Sequence, residues 1–207
     1  MNRLYVFVII VLMLSGCTHE VGETVRICAY SSNESLFCGT AFTVDSPDDD
    51  RTLFMTSAHI FDPKNWSTAK SWIDHEEYGA LDLTVEYIDF NLDIAVFSVH
   101  PFYEFETFDL CPGTPLFVKI VVHAEHPKSL TRSGVLTLPF YEEKNLPKSK
   151  FAMLSIKTKR GASGAPAVFN LDGCVVGMVY GGKYKYKVTL IVKEKDLKRA
   201  LKRKTLK

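Results

Sequence analysis

His59, Asp93 and Ser163 are the residue types that together perform acyl transfer, and they occur in that order along a 207-residue chain. A serine hydroxyl is a weak nucleophile until an imidazole accepts its proton, and the imidazole needs a carboxylate to orient it and offset its charge. Ser163 lies in Arg160-Gly161-Ala162-Ser163-Gly164-Ala165-Pro166. Glycines at 161 and 164 allow backbone angles closed to other residues, so the hydroxyl can be presented while nearby amides converge on one point. The same run also reads as a surface turn between two strands. The choice between these readings depends on whether the rest of the chain supplies a base and an orienting acid.

His59 follows the apolar run Leu53-Phe54-Met55-Thr56, with Ser57 and Ala58 leaving space beside the imidazole. Asp93 stands at the mouth of Ile94-Ala95-Val96-Phe97-Ser98-Val99, where a carboxylate is costly unless it is paired. Asp89 is the competing turn cap. His75, in a charged stretch without clean periodicity, reads as a surface residue.

The elements that must position these groups are strands. Runs 24–30 and 36–44 flank a polar turn and are rich in β-branched and aromatic residues. Further strands are expected at 51–56, 81–88, 94–99, 115–122, 132–137, 151–156, 167–169, 174–180 and 187–192, with loop and a short helical turn over 61–79 and a break at Gly181-Gly182. Residues 101–110 lack alternation and suit a linker. Residues 193–207 carry Leu197, Ala200 and Leu201 on one stripe and read as a basic helix. The whole is an all-β chain in two halves, 24–100 and 111–192.

Net charge is +1, so no broad field points to nucleic acid as a partner. Met1-Asn2-Arg3 and the apolar run from Leu4 to Leu14 have the form of a secretory signal, too short for a comfortable membrane span. The signal ends in Leu14-Ser15-Gly16-Cys17, which resembles the bacterial lipobox. That resemblance implies a signal over 1–16, a lipidated Cys17, a tether over 17–23 and display on a membrane. Thr18 stands where an aspartate would favour the inner membrane, so the implied location in a diderm host is the periplasmic face of the outer membrane.

Cys28, Cys38, Cys111 and Cys174 remain. In an exported chain an even count points to disulfides with three possible connectivities, against a reading of four buried thiols. Cys28 and Cys38 flank the 31–35 turn symmetrically, which favours that pair and leaves Cys111 with Cys174. No His/Cys cluster has zinc spacing, and neither metal nor cofactor is expected.

Thr56-Ser57-Ala58-His59, Asp93-Ile94-Ala95-Val96 and Gly161-Ala162-Ser163-Gly164-Ala165-Pro166, in this order, resemble the trypsin-like serine peptidases of the chymotrypsin fold. Gly39-Thr40-Ala41-Phe42, Arg132-Ser133-Gly134-Val135 and Asn170-Leu171-Asp172-Gly173 look like landmarks of the bacterial HtrA-like and glutamyl-endopeptidase-like branch. The resemblance implies a double β-barrel with a C-terminal helix, acting as a serine endopeptidase on protein or peptide substrates. In it Ser163 is the nucleophile, His59 the base and Asp93 its orienting acid, with the Gly161 and Ser163 amides as oxyanion hole. Lys157, Thr158, Lys159 and Arg160 would line one side of the primary pocket, and Val179, Tyr180, Gly181 and Gly182 the other. A basic floor would suit an acidic substrate side chain, although these cations also read as solvated, and Tyr180 could narrow the pocket toward small residues.

Three departures from the family pattern stand out. Ala162 replaces the aspartate used in zymogen activation, Ala165 replaces a glycine, and Ile60 stands where many relatives have cysteine, so Cys38 must pair elsewhere. The alternative from another class is a non-catalytic lipoprotein that uses the scaffold to bind a partner or mask a surface receptor.

Overall fold

Seven residues, Thr24–Tyr30, with Val25 and the run Ile27 to Ala29 buried, form β1, which pairs antiparallel with β2, Leu36–Asp45, so that Cys28 faces Cys38. The two form a disulfide, and the second pair closes between Cys111 and Cys174. The computed structural model describes residues 22–61, 63–64, 70–101, 103–112, 117–122, 130–137, 151–155, 158, 160–169, 172–183 and 188–204. Residues 1–21, read as signal, lipidation site and tether, and Lys157 and Lys159 of the expected pocket lie outside the described residues.

The first half continues with β3 (Thr52–Thr56), a 3₁₀ turn (Ala58–Ile60), β4 (Ser71–His75), β5 (Gly79–Asp82), β6 (Thr84–Asp89) and β7 (Ile94–Ser98). They build one sheet in the order β5-β4-β1-β2-β3-β7-β6. Its two edge strands, β5 and β6, are separated in the chain by Leu83 alone, so the sheet must curl until its edges meet. The second half contains β8 (Phe117–Val122), β9 (Leu130–Thr137), β10 (Phe151–Leu154), β11 (Pro166–Phe169), β12 (Val175–Lys183) and β13 (Val188–Lys193). These close into a barrel, β10-β13-β12-β11-β8-β9. The chain ends in helix α1, Glu194–Lys204.

Several sequence expectations need correction. The stretch expected to be loop contains β4 and the start of β5, paired from Trp72 opposite Asp82 to His75 opposite Gly79. The expected strand 81–88 is two strands broken at Leu83, because the chain passes there from one sheet edge to the other. Gly181-Gly182 does not end β12. The strand runs through them with a register shift between Val179 and Gly181, a bulge that glycine accommodates without side-chain crowding. His75 is not a surface residue: its side chain is 11% exposed and its Nε2 lies 2.8 Å from Glu23 Oε2.

Three apolar clusters hold these elements. One fills the first half around Ile27, Phe54, Phe61 and Phe97. A second fills the other half around Leu154, Val179 and Ile191. The third joins the halves, packing Phe42, Met55 and Val96 with Met153, Val175 and Met178, and it takes in Leu197, Ala200 and Leu201 of α1. The helix touches β6 and β7 as well as β12 and β13, so it bridges both halves and does not sit on the second alone. Burying Leu197 and Leu201 contributes roughly 2 kcal/mol each. The intervening segment is stitched to both sides, with bridges from Phe108 to Val44 and from Leu110 to Val175.

Candidate active site

β3 ends at Thr56, and the 3₁₀ turn that follows turns His59 outward while burying Ala58 and Ile60 on either side. The His59 side chain is 46% exposed, whereas Asp93 beneath it is 7% exposed. Asp93 comes from the turn before β7 and takes a left-handed backbone conformation, φ 57°, which a short polar residue tolerates better than most. This aims its carboxylate at His59. Asp93 Oδ1 accepts the His59 main-chain N–H at 2.8 Å, and its two oxygens lie 3.0 and 2.9 Å from Nδ1. An ionised carboxylate only accepts, so Nδ1 carries the proton and the lone pair is left on Nε2. That tautomer is the one a general base requires.

Asp89, the competitor, does a different job. Its Oδ1 accepts from the amides of Asn91 and Leu92 at 2.9 and 3.0 Å, and Oδ2 accepts from the Tyr87 hydroxyl. It caps the turn that delivers Asp93.

Ser163 sits in the loop before β11, half-buried, between Gly161 at φ 84° and Gly164 at φ 84°. Two threonines of the first half clamp this loop. The Thr40 amide donates to the Ser163 carbonyl at 2.8 Å, the Thr40 hydroxyl donates to the Gly161 carbonyl at 2.7 Å, and Thr56 Oγ1 donates to the Thr40 carbonyl at 2.7 Å. Gly164 N donates to Val179 O at 2.8 Å, and the Ser57 hydroxyl reaches the same carbonyl at 3.1 Å. A Cβ on Gly39 would come within 2.7 Å of the Ser163 carbonyl oxygen and 2.4 Å of Ile60 Cδ1, next to His59. The serine loop and the histidine turn therefore interlock through Ser57 and Ile60, the near neighbours of His59. Among the described residues, no hydrogen bond joins the Ser163 hydroxyl to His59, and none occupies the amides of Gly161 and Ser163.

Of the expected pocket residues, Thr158 is buried and accepts a hydrogen bond from Thr189 Oγ1 at 3.2 Å, while Arg160 is exposed. The Tyr180 ring lies edge-on to His59 at 5.8 Å and packs on Phe151 at 4.9 Å. Among the described residues, a Cβ on Gly181 would meet nothing within 4 Å, so open space adjoins Tyr180. Gly182 follows in the same strand. Sequence reasoning missed Thr40, Thr56 and Thr189. A signal for Thr40 was present, because a threonine in a tightly packed Gly-Thr-Ala step can use its hydroxyl only locally or across a fold contact.

Cys111, Asp172 and Cys174 are a group whose donor atoms come close together, but the two sulfurs are bonded to each other and offer no thiolate. Ala162 is buried, as is Ile60, and Cys38 pairs with Cys28 in place of a partner beside the histidine.

Residues 39–178 match the family described as trypsin-like peptidase domain. No curated protein matches the chain. Among solved structures it is similar to the active form of the Rv3671c protease from M. tuberculosis, at 18% identity and TM-score 0.68, covering 88% of this chain and 80% of that one. An inactive serine-to-alanine mutant of the same protease matches at 18% identity and TM-score 0.64, covering 88% and 87%. Another inactive form matches at 17% identity and TM-score 0.62, covering 86% and 87%. At these identities the likeness is one of fold.

Proposed function

This chain belongs to the trypsin-like peptidase domain family, and from that membership we propose that it is a serine endopeptidase working through Ser163, His59 and Asp93. The observation that carries the reading is the His59–Asp93 pairing, with Nδ1 at 2.9 Å from Oδ2 and Nε2 left as the proton acceptor. Ser163 Oγ attacks the scissile carbonyl carbon as its proton passes to Nε2. The negative charge moves to the carbonyl oxygen, which the Gly161 and Ser163 amides receive, a term worth roughly 3 kcal/mol per donor. Collapse of the intermediate breaks the C–N bond, and the departing amine takes the proton from His59. Water then repeats the sequence on the acyl-enzyme, with His59 again accepting and returning a proton. Asp93 stays ionised throughout and stabilises the imidazolium.

Substrate is bound beside Tyr180, Gly181 and Gly182, where the strand edge and open space allow an extended peptide to lie. Lipidation of Cys17 would hold the domain at a bacterial membrane, on the strength of Leu14-Ser15-Gly16-Cys17. The rival reading, a binding lipoprotein on a peptidase scaffold, draws on the absence, among the described residues, of a hydrogen bond between the Ser163 hydroxyl and His59. That bond is commonly long in free enzymes and shortens with substrate bound.

Digestion of a peptide library separates the two. The chain from Thr18 onward should generate new termini, which mass spectrometry reads, and Ser163→Ala should generate none. No cleavage by the parent, or equal cleavage by the variant, contradicts the proposal.

A further inference from the structure

Charge is nearly balanced over the whole chain, at 25 basic and 24 acidic residues, but its distribution is uneven. Residues 193–207 hold eight of the basic residues and two of the acidic ones, leaving seventeen basic against twenty-two acidic everywhere else. Helix α1 then sorts these cations by face. Lys198 Nζ donates to the Cys111 carbonyl at 2.9 Å and pairs with Glu194, and Arg203 reaches the Tyr87 hydroxyl and Asp89. Asp196 is buried with Leu197, Ala200 and Leu201. The opposite stripe, Lys195, Arg199 and Lys202, spaced i, i+4, i+7, is exposed. Among the helix cations whose side chains are described, two thus fasten it to the domain and three face outward, on a helix whose acidic residues are turned inward or paired.

The position of this stripe relative to the start of the domain gives it a use. A Cβ on Gly22 would strike the Phe108 ring, and Glu23 exchanges hydrogen bonds with Glu106, so the domain begins against the 106–111 segment. The same segment receives Lys198 at Cys111. Phe108 and Cys111 are three residues apart, at most about 10 Å. Cys17 is five residues before Gly22, at most about 17 Å of extended chain, against a domain diameter of about 40 Å. An anchor at Cys17 can bring only the face around Gly22 to its surface, and α1 lies beside that face.

We propose that the exposed stripe Lys195, Arg199 and Lys202 is a docking surface for anionic lipid headgroups, seated on the membrane that holds Cys17. The proposal rests on the lipoprotein reading for its geometry. Docking adds a second attachment to the lipid and fixes which way the cleft between the two halves faces. Each cation near an anionic surface strengthens binding by roughly five-fold, so the three together are worth about a hundred-fold, lost as salt rises.

Co-sedimentation with vesicles tests this without any acyl chain. The chain from Thr18 retains every described element. It should bind vesicles of phosphatidylcholine with 30% phosphatidylglycerol, and not phosphatidylcholine alone. The triple substitution Lys195→Ala, Arg199→Ala, Lys202→Ala should weaken binding about a hundred-fold, while Lys195→Arg with Lys202→Arg should keep it. Thermal unfolding by circular dichroism, unchanged in both variants, excludes a folding defect. Undiminished binding by the triple variant, equal binding to neutral vesicles, or preference for soluble polyphosphate over vesicles overturns the proposal. Metabolic labelling of the full chain with palmitate reads the lipoprotein premise separately: with labelling absent, that premise fails whatever the vesicles report.

Discussion

Thr40 grips the serine loop with two atoms: its amide donates to the Ser163 carbonyl at 2.8 Å and its hydroxyl to the Gly161 carbonyl at 2.7 Å. A residue of β2 in the first half thereby fixes the orientation of two peptide planes in the second half, 121 residues away. Those planes flank the peptides that carry the Gly161 and Ser163 amides, so the clamp limits how the proposed oxyanion donors can turn. Thr40→Val keeps the amide contact and the side-chain shape but orphans the Gly161 carbonyl. We expect a loss of about 1–2 kcal/mol in stability. A fall of about ten-fold in kcat with little change in KM should accompany it, measured by steady-state hydrolysis and urea unfolding. A variant with unchanged kcat would mean that the clamp is structural only.

Gly164 has no room for a side chain. A Cβ there would lie 2.1 Å from the Thr40 carbonyl oxygen, 2.3 Å from Thr56 Oγ1 and 3.0 Å from Ser57 N, at a φ of 84°. Gly164→Ala should cost about 3 kcal/mol, from overpacking and backbone strain together. A urea midpoint shifted to match is expected, and wild-type stability would contradict the close approach of the two halves at this point.

Gly181 is the opposite case, since a Cβ there meets nothing among the described residues. Gly181→Val should fold with an unchanged melting temperature and yet raise KM about ten-fold or more, because the side chain occupies the space beside Tyr180 where substrate is proposed to lie. Unaltered KM would move the substrate path elsewhere.

The two disulfides should differ in worth. Cys28–Cys38 closes a separation of 10 residues and Cys111–Cys174 one of 63. On loop-closure entropy, removing the first costs about 3 kcal/mol and the second about 4 kcal/mol. Paired alanine variants compared in urea give the order directly.

Asp93→Asn preserves side-chain size and suits the left-handed backbone, so the fold should survive. The amide presents a donor to Nδ1, however, and favours the wrong tautomer of His59. Turnover should drop by roughly ten-thousand-fold with melting temperature within a few degrees of the parent. A small loss of turnover would remove Asp93 from the mechanism.

Much of this architecture was legible locally. β1 and β2 are rich in β-branched and aromatic residues around a polar turn, and the cysteines across them sit in register. His59, Asp93 and Ser163 each stand where an apolar run meets small residues. Short edge strands were harder to see. β4 and β5 carry polar residues, Asp74, His75 and Asp82 among them, and each strand has a single fully buried position, Ile73 or Leu81, so burial imposes no clean period on them. His75 reads as surface because its partner Glu23 is 52 residues away, and two backbone amides, Glu77 and Tyr78, satisfy its other nitrogen. Gly181-Gly182 reads as a break because glycine signals both a strand end and a bulge. The pairing of β12 with β13 decides which it is. Thr40 and Thr189 act through contacts distant in sequence, which no periodicity encodes.

The nucleophile itself can be tested in one step. A fluorophosphonate forms a covalent bond only with a serine whose hydroxyl is activated and whose developing oxyanion is received. The chain from Thr18 should label at Ser163, located by peptide mass mapping, and labelling should vanish in Ser163→Ala and fall sharply in His59→Ala. Absence of labelling in the folded parent protein, or labelling that persists in Ser163→Ala, would contradict the assignment of Ser163 as the catalytic nucleophile.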